Sequence, residues 1–145
     1  MDNITRKITQ IVTLLLLIFG LQASPISAAP PPIETEEEGL ITIQSFNRLL
    51  REYPDSVYFI DVRDQTEVDA DGTFKTAMVL PIDEVGKAVD KLPTDKPIVF
   101  FCSTGGRAGE AYDTFTMLRE NLKVYFLDAN VEFSKQEYPK ITPAE

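Results

Sequence analysis

The chain has 145 residues, with 23 acidic against 14 basic side chains for a formal charge of −9, one cysteine and no histidine. An excess of acid on this scale excludes electrostatic attraction to nucleic acid or to an anionic membrane surface as the working principle. A single cysteine excludes any disulfide within the chain.

Residues 1–29 read as an export leader. Arg6 and Lys7 supply the positive start, Ile11 to Leu21 the apolar stretch, and Ser27-Ala28-Ala29 the small residues after which cleavage is expected. The apolar segment from Ile8 to Ala23 is interrupted by Thr9, Gln10, Thr13 and Gln22. It falls short of the roughly 20 residues a spanning helix needs. The expectation is therefore a protein exported to a bacterial periplasm or secreted, touching a membrane only where the leader is retained. Residues 30–39, Pro-Pro-Pro-Ile-Glu-Thr-Glu-Glu-Glu-Gly, read as an acidic, proline-stiffened linker. Glu34, Glu36, Glu37 and Glu38 are taken as a solvated charge run rather than a metal site, because no histidine or cysteine accompanies them.

Residues 40–145, about 106 in all, suffice for one core. Ile41 and Ile43 flank Thr42 at a short strand or helix entry. Phe46, Leu49, Leu50 and Tyr53 then recur at helical spacing until Pro54. Val57 to Ile60 predicts a buried strand and Met78 to Ile82 another, followed by a helix through Val85 and Val89 that ends before Pro93. Ile98 to Phe101 is the central strand. Ala108, Ala111, Tyr112, Phe115 and Leu118 give the next helix its apolar stripe, Val124 to Leu127 makes a strand, and Val131 to Tyr138 is expected as a terminal helix. Alternation of this kind predicts an α/β domain, a central parallel sheet flanked by helices on both faces.

The run from Ile98 to Ala108 joins an apolar strand, the only cysteine, a glycine turn and a helix start. Such a strand delivers Cys102 to the carboxyl edge of the sheet, where open α/β sheets keep their binding crevices. Gly105 and Gly106 allow a tight turn about the sulfur. Amides from Ser103 to Arg107 turning inward, with a helix dipole behind them, would form a concavity that favours anions and a thiolate. By position alone Cys102 reads equally well as a small buried hydrophobe. Arg107 opposes the dipole at a helix start, which points to a task beyond solubility. Asp61 and Arg63 are expected to be structural, pairing with each other or with loop amides. Ser103 and Thr104 have hydroxyls for a substrate or for the loop itself.

Cys102-Ser103-Thr104-Gly105-Gly106-Arg107 resembles the active-site loop of the rhodanese superfamily, Cys-x-x-Gly-x-Arg before a helix. Tyr58-Phe59-Ile60-Asp61-Val62-Arg63 resembles the family's strand ending in Asp-Val-Arg, and Lys96 to Phe101 its lead into the cysteine. The likeness spans most of Leu40 to Pro139. Two stretches depart from it. Asp71 to Ala77 stands where the family usually writes Gly-His-Ile-Pro-Gly-Ala, and Ala129, Asn130 and Ser134 stand where a Gly-Gly pair and a tryptophan are common.

The resemblance implies a single rhodanese-like domain and a sulfurtransferase in which Cys102 takes the outer sulfur of a small anionic donor such as thiosulfate. A thiophilic acceptor then removes it. Cys102 is the nucleophile in this reading; Ser103, Thr104, Gly105, Gly106 and Arg107 bind the donor, and no metal or organic cofactor is required. Cysteine-dependent phosphatases place five residues between cysteine and arginine, whereas four intervene here. The smaller loop suits sulfur better than phosphate. The rival expectation is a non-catalytic module that carries or senses sulfur or docks a protein partner that the sequence does not identify.

Overall fold

The apolar runs ending at Asp61 and Phe101 lie side by side at the middle of a six-stranded sheet. The computed structural model describes residues 29–134 and 138–144; the leader read at residues 1–29 lies, but for Ala29, outside the described residues. In chain order the elements are β1 (Thr35–Glu37), β2 (Leu40–Ile41), α1 (Ile43–Glu52), β3 (Tyr58–Asp61), α2 (Gln65–Asp71), β4 (Met78–Val79), α3 (Ile82–Ala88), β5 (Ile98–Phe101), α4 (Gly106–Leu118), β6 (Val124–Phe126), β7 (Ala129–Glu132) and β8 (Lys140–Pro143). The main sheet runs β1-β2-β6-β5-β3-β4, and β7 and β8 form a separate pair. All pairings in the main sheet are parallel except β1 with β2.

Residues 58–60 of β3 and 98–101 of β5 are apolar without interruption because each of their faces meets a different core. Phe59, Val99 and Phe101 point to one side, with Phe46, Leu49 and Leu50 of α1 and with Ala129 and Val131 of β7. Ile60, Ile98 and Phe100 point to the other, with Val85 of α3 and Ala108, Ala111 and Phe115 of α4. Burial on both faces is the condition under which a strand loses its polar alternation. In the first core Phe74 stacks on Phe101 at 4.4 Å, and Phe46 meets Phe59 edge-on at 5.2 Å. Thr42 caps α1 by accepting a hydrogen bond from Ser45 N–H at 3.0 Å, which resolves the Ile41–Ile43 ambiguity as a two-residue strand followed by a helix.

Two expectations are corrected. The segment from Val131 to Tyr138 does not begin as a helix: Val131 and Glu132 close β7, which pairs antiparallel with β8 in the register Val131↔Ile141. Ala129 and Val131 are buried while Glu132 is exposed, a period of two rather than 3.6, and that alternation seats the hairpin on the first core. The linker reading also fails over its second half. Thr35–Glu37 forms the edge strand β1, Glu34 C=O accepts from Thr42 N–H at 3.0 Å, and Glu34 N–H donates to the buried Ser45 hydroxyl at 3.0 Å. Backbone pairing needs no apolar side chains, so composition alone did not reveal it.

Candidate active site

β3 and β5 pair in the register Asp61↔Phe101, so the residues after them emerge together at the carboxyl edge of the sheet. Val62, Arg63 and Cys102 therefore share one end of the molecule. Cavities of about 280 Å³ lined by Thr94, Pro97 and Lys123, and of about 610 Å³ lined by Gly39, Tyr112 and Arg119, do not include Cys102.

Cys102 is 1% exposed, and its Sγ accepts a hydrogen bond from Gly105 N–H at 3.2 Å. Gly105 reaches this position at φ +90°, a conformation that only glycine adopts without strain. A Cβ there would also lie 2.8 Å from the Cα of Asp128. Helix α4 begins at Gly106, with Gly109 N–H bonded to Gly105 C=O, so the positive end of the helix faces the loop. Val131 N–H donates to Ser103 C=O at 2.8 Å, so the β7 strand braces the loop from outside. Ser103 is half-buried, while Thr104 and Gly106 are exposed.

Arg107 is not a free cation. Its two terminal nitrogens grip the Glu67 carboxylate, Nη2 to Oε1 at 2.8 Å, and Nη2 also lies 3.3 Å from the Ser103 hydroxyl. The hydrogen bonds to Glu67 raise the Arg107 pKa above its ordinary value. The same bonds from Arg107, helped by the Asp64 N–H, lower the Glu67 carboxyl to about 2.

Beside this cluster, Arg63 and Asp61 form a buried pair, 1% and 0% exposed, with Nη2 to Oδ2 at 2.7 Å. Arg63 also donates to Gly72 C=O at 2.7 Å, Thr73 donates to Asp61 at 2.6 Å, and the guanidinium lies 3.3 Å from the centroid of the Phe133 ring. The pair thus anchors the segment that departs from the family at residues 71–77. Of the other departing residues, Ala129 is fully buried, and Asn130 donates to Pro143 C=O at 3.1 Å across the hairpin.

The model of the rhodanese-like domain matches residues 42–132, which contain every one of these groups except Phe133 and Pro143. The chain belongs to the rhodanese-like family. No curated protein matches it. Among solved structures, a human single-domain sulfurtransferase is 21% identical, with a TM-score of 0.53 over 61% of this chain and 88% of that one. A single-domain sulfurtransferase of Saccharomyces cerevisiae is 21% identical, with a TM-score of 0.52 over 72% and 90%. A Rhodopseudomonas palustris protein of unknown function, described as a possible tyrosine phosphatase, is 23% identical, with a TM-score of 0.53 over 66% and 74%. Likeness at this level establishes the fold.

Within this rhodanese-like domain, sequence reasoning missed Glu67. It stands on α2, a helix with no buried residue and hence no apolar stripe to announce it. The available signal was Asp64-Gln65-Thr66-Glu67, the spacing of a helix start whose fourth residue reaches back to the first.

Proposed function

We propose that this rhodanese-like domain is a sulfurtransferase that carries sulfane sulfur as a persulfide on Cys102. The observation that supports this reading most directly is the Gly105 amide on Sγ at the head of α4, a donor set for a negative sulfur. The Cys102 thiolate attacks the outer sulfur of a donor such as thiosulfate. A bond forms between the two sulfurs, the donor's own sulfur–sulfur bond breaks, and sulfite leaves with that electron pair. An acceptor nucleophile, whether a thiol, sulfite or a protein cysteine, then attacks the terminal sulfur and returns the thiolate. Charge and atoms balance in both halves without a metal or organic cofactor.

The loop amides from Gly105 to Arg107 stabilise the charged sulfur before and after transfer. Ser103 and Thr104 hold the donor by their hydroxyls, and Arg107 receives its oxyanion. Asp61 and Arg63 support the site without touching the donor. With the leader removed after Ala29, the enzyme works outside the cytoplasm.

A second reading, a carrier or sensor without useful turnover, draws on the 1% exposure of Cys102, since the loop must yield before a large donor reaches the sulfur. Rapid mixing with thiosulfate separates the two. Transfer predicts about one equivalent of sulfite released per chain in a burst, followed by steady turnover once cyanide is added as acceptor. A burst with no turnover supports the carrier, and absence of a burst contradicts the sulfurtransferase.

A further inference from the structure

We propose that Glu67 is a positioning residue for anion capture at the thiol loop, fixing the plane in which Arg107 meets a donor's oxyanion. The inference rests on the sulfurtransferase reading only for the identity of the anion. Glu67 and Arg107 are 40 residues apart and belong to different helices, yet the carboxylate engages both terminal nitrogens of the guanidinium. The same Oε2 also accepts from Asp64 N–H at 3.1 Å, where the chain leaves β3 and enters α2. Glu67 is thereby anchored to the strand that pairs with β5, and Arg107 to Glu67. The arginine is 29% exposed on its side chain, so its charge reaches the surface while its orientation is fixed from behind.

Two effects of removing the carboxylate oppose each other. An anion at Arg107 would feel one less negative charge, worth about two- to threefold in affinity at a distance of about 7 Å in a solvent-like dielectric. A freed arginine must instead be ordered at each binding event, a loss of up to about tenfold for a long side chain. The geometry points to ordering as the larger effect, because a two-pronged grip immobilises the whole guanidinium plane.

Glu67→Gln isolates this grip. Glutamine serves at the same helix position, so it still reaches the Asp64 amide and α2 keeps its start. It can no longer accept two charge-assisted bonds from Arg107. Sulfite binding, measured by calorimetry on protein freed of bound sulfur with a thiol, should weaken about fivefold in Glu67→Gln. Adding that change to Arg107→Ala should cost nothing further. The KM for thiosulfate should rise with little change in kcat, and the Arg107 guanidinium N–H resonances should broaden in the variant.

Equal or tighter sulfite binding in Glu67→Gln overturns the proposal, as do losses that add in the double variant or a wild-type chain that binds no sulfite. Sulfite binding that follows the predicted pattern in a chain that moves no sulfur from thiosulfate would uphold the positioning role and overturn the sulfurtransferase reading.

Discussion

Arg63 and Asp61, two residues apart at the end of β3, form a fully buried ion pair that is also the hub of the neighbouring loop: Gly72 and Thr73 are bonded to it and Phe133 covers it. Charges so placed are costly to separate, because the survivor keeps its desolvation without its partner. Asp61→Ala should destabilise the fold by about 3–5 kcal/mol, the range for breaking a buried pair from one side. Replacing both residues with apolar ones of similar size, Asp61→Leu with Arg63→Met, should cost much less. Urea unfolding of the three proteins decides it. A single variant within about 0.5 kcal/mol of wild type, the size of a neutral surface change, would mean that the pair is not under the load its burial implies.

Gly105→Ala should disturb stability and sulfur chemistry together. The substitution forces alanine into φ +90° against the Asp128 backbone, a strain of about 1–3 kcal/mol. The loop would shift the one amide seen on Cys102 Sγ. Trimming Asp128 to alanine in the same chain should not rescue it, because the Cα of Asp128 remains in place. Full recovery in that double variant, by thermal unfolding and sulfite burst, would locate the constraint in the Asp128 carboxylate instead.

Arg107→Ala should weaken capture of an oxyanionic donor by about 1.5–3 kcal/mol, the range for a charge-assisted hydrogen bond. The loss should be smaller for a sulfane donor with no oxyanion, such as the persulfide of an uncharged thiol. Single-turnover rates with both donors test this. Equal losses would show that Arg107 shapes the loop rather than receiving the donor.

The Glu67–Arg107 pair also makes a prediction in acid. Its carboxyl titrates at about 2 in the folded chain, below the ordinary value of 4.5. A depressed folded value means stability that is fully present above about pH 4.5 and lost as pH falls through 2. With both side chains about a third exposed, screening limits the contribution to about 1 kcal/mol. The stability difference between wild type and Glu67→Gln should be constant from pH 7 to 5 and vanish near pH 2. A difference that persists undiminished at pH 2 would assign it to packing.

The sheet and the thiol loop were legible in the sequence because each leaves a local mark. Two-sided burial writes unbroken apolar runs at β3 and β5, and the turn at Cys102 demands Gly105. What escaped was held by long-range polar pairing. Glu67 sits on a helix that buries nothing, and its role depends on a partner 40 residues away. The segment from Val131 to Tyr138 reads as a helix in the sequence because Val131 and Phe133 are compatible with either period until β8 supplies the pairing partner of β7. The edge strand β1 is made by backbone bonds among glutamates, which composition marks as linker. The pairing of Arg63 with Asp61 was legible, but not the Phe133 ring that covers the guanidinium.

The central claim is a persulfide on Cys102, and intact-protein mass spectrometry reads it directly. The chain is incubated with thiosulfate, desalted and weighed, then treated with cyanide and weighed again, with Cys102→Ser, shown to be folded by circular dichroism, carried in parallel. A gain of one sulfur atom in the wild type that cyanide removes, with no gain in Cys102→Ser, is the predicted result. No gain in the wild type, or the same gain in Cys102→Ser, would contradict the account.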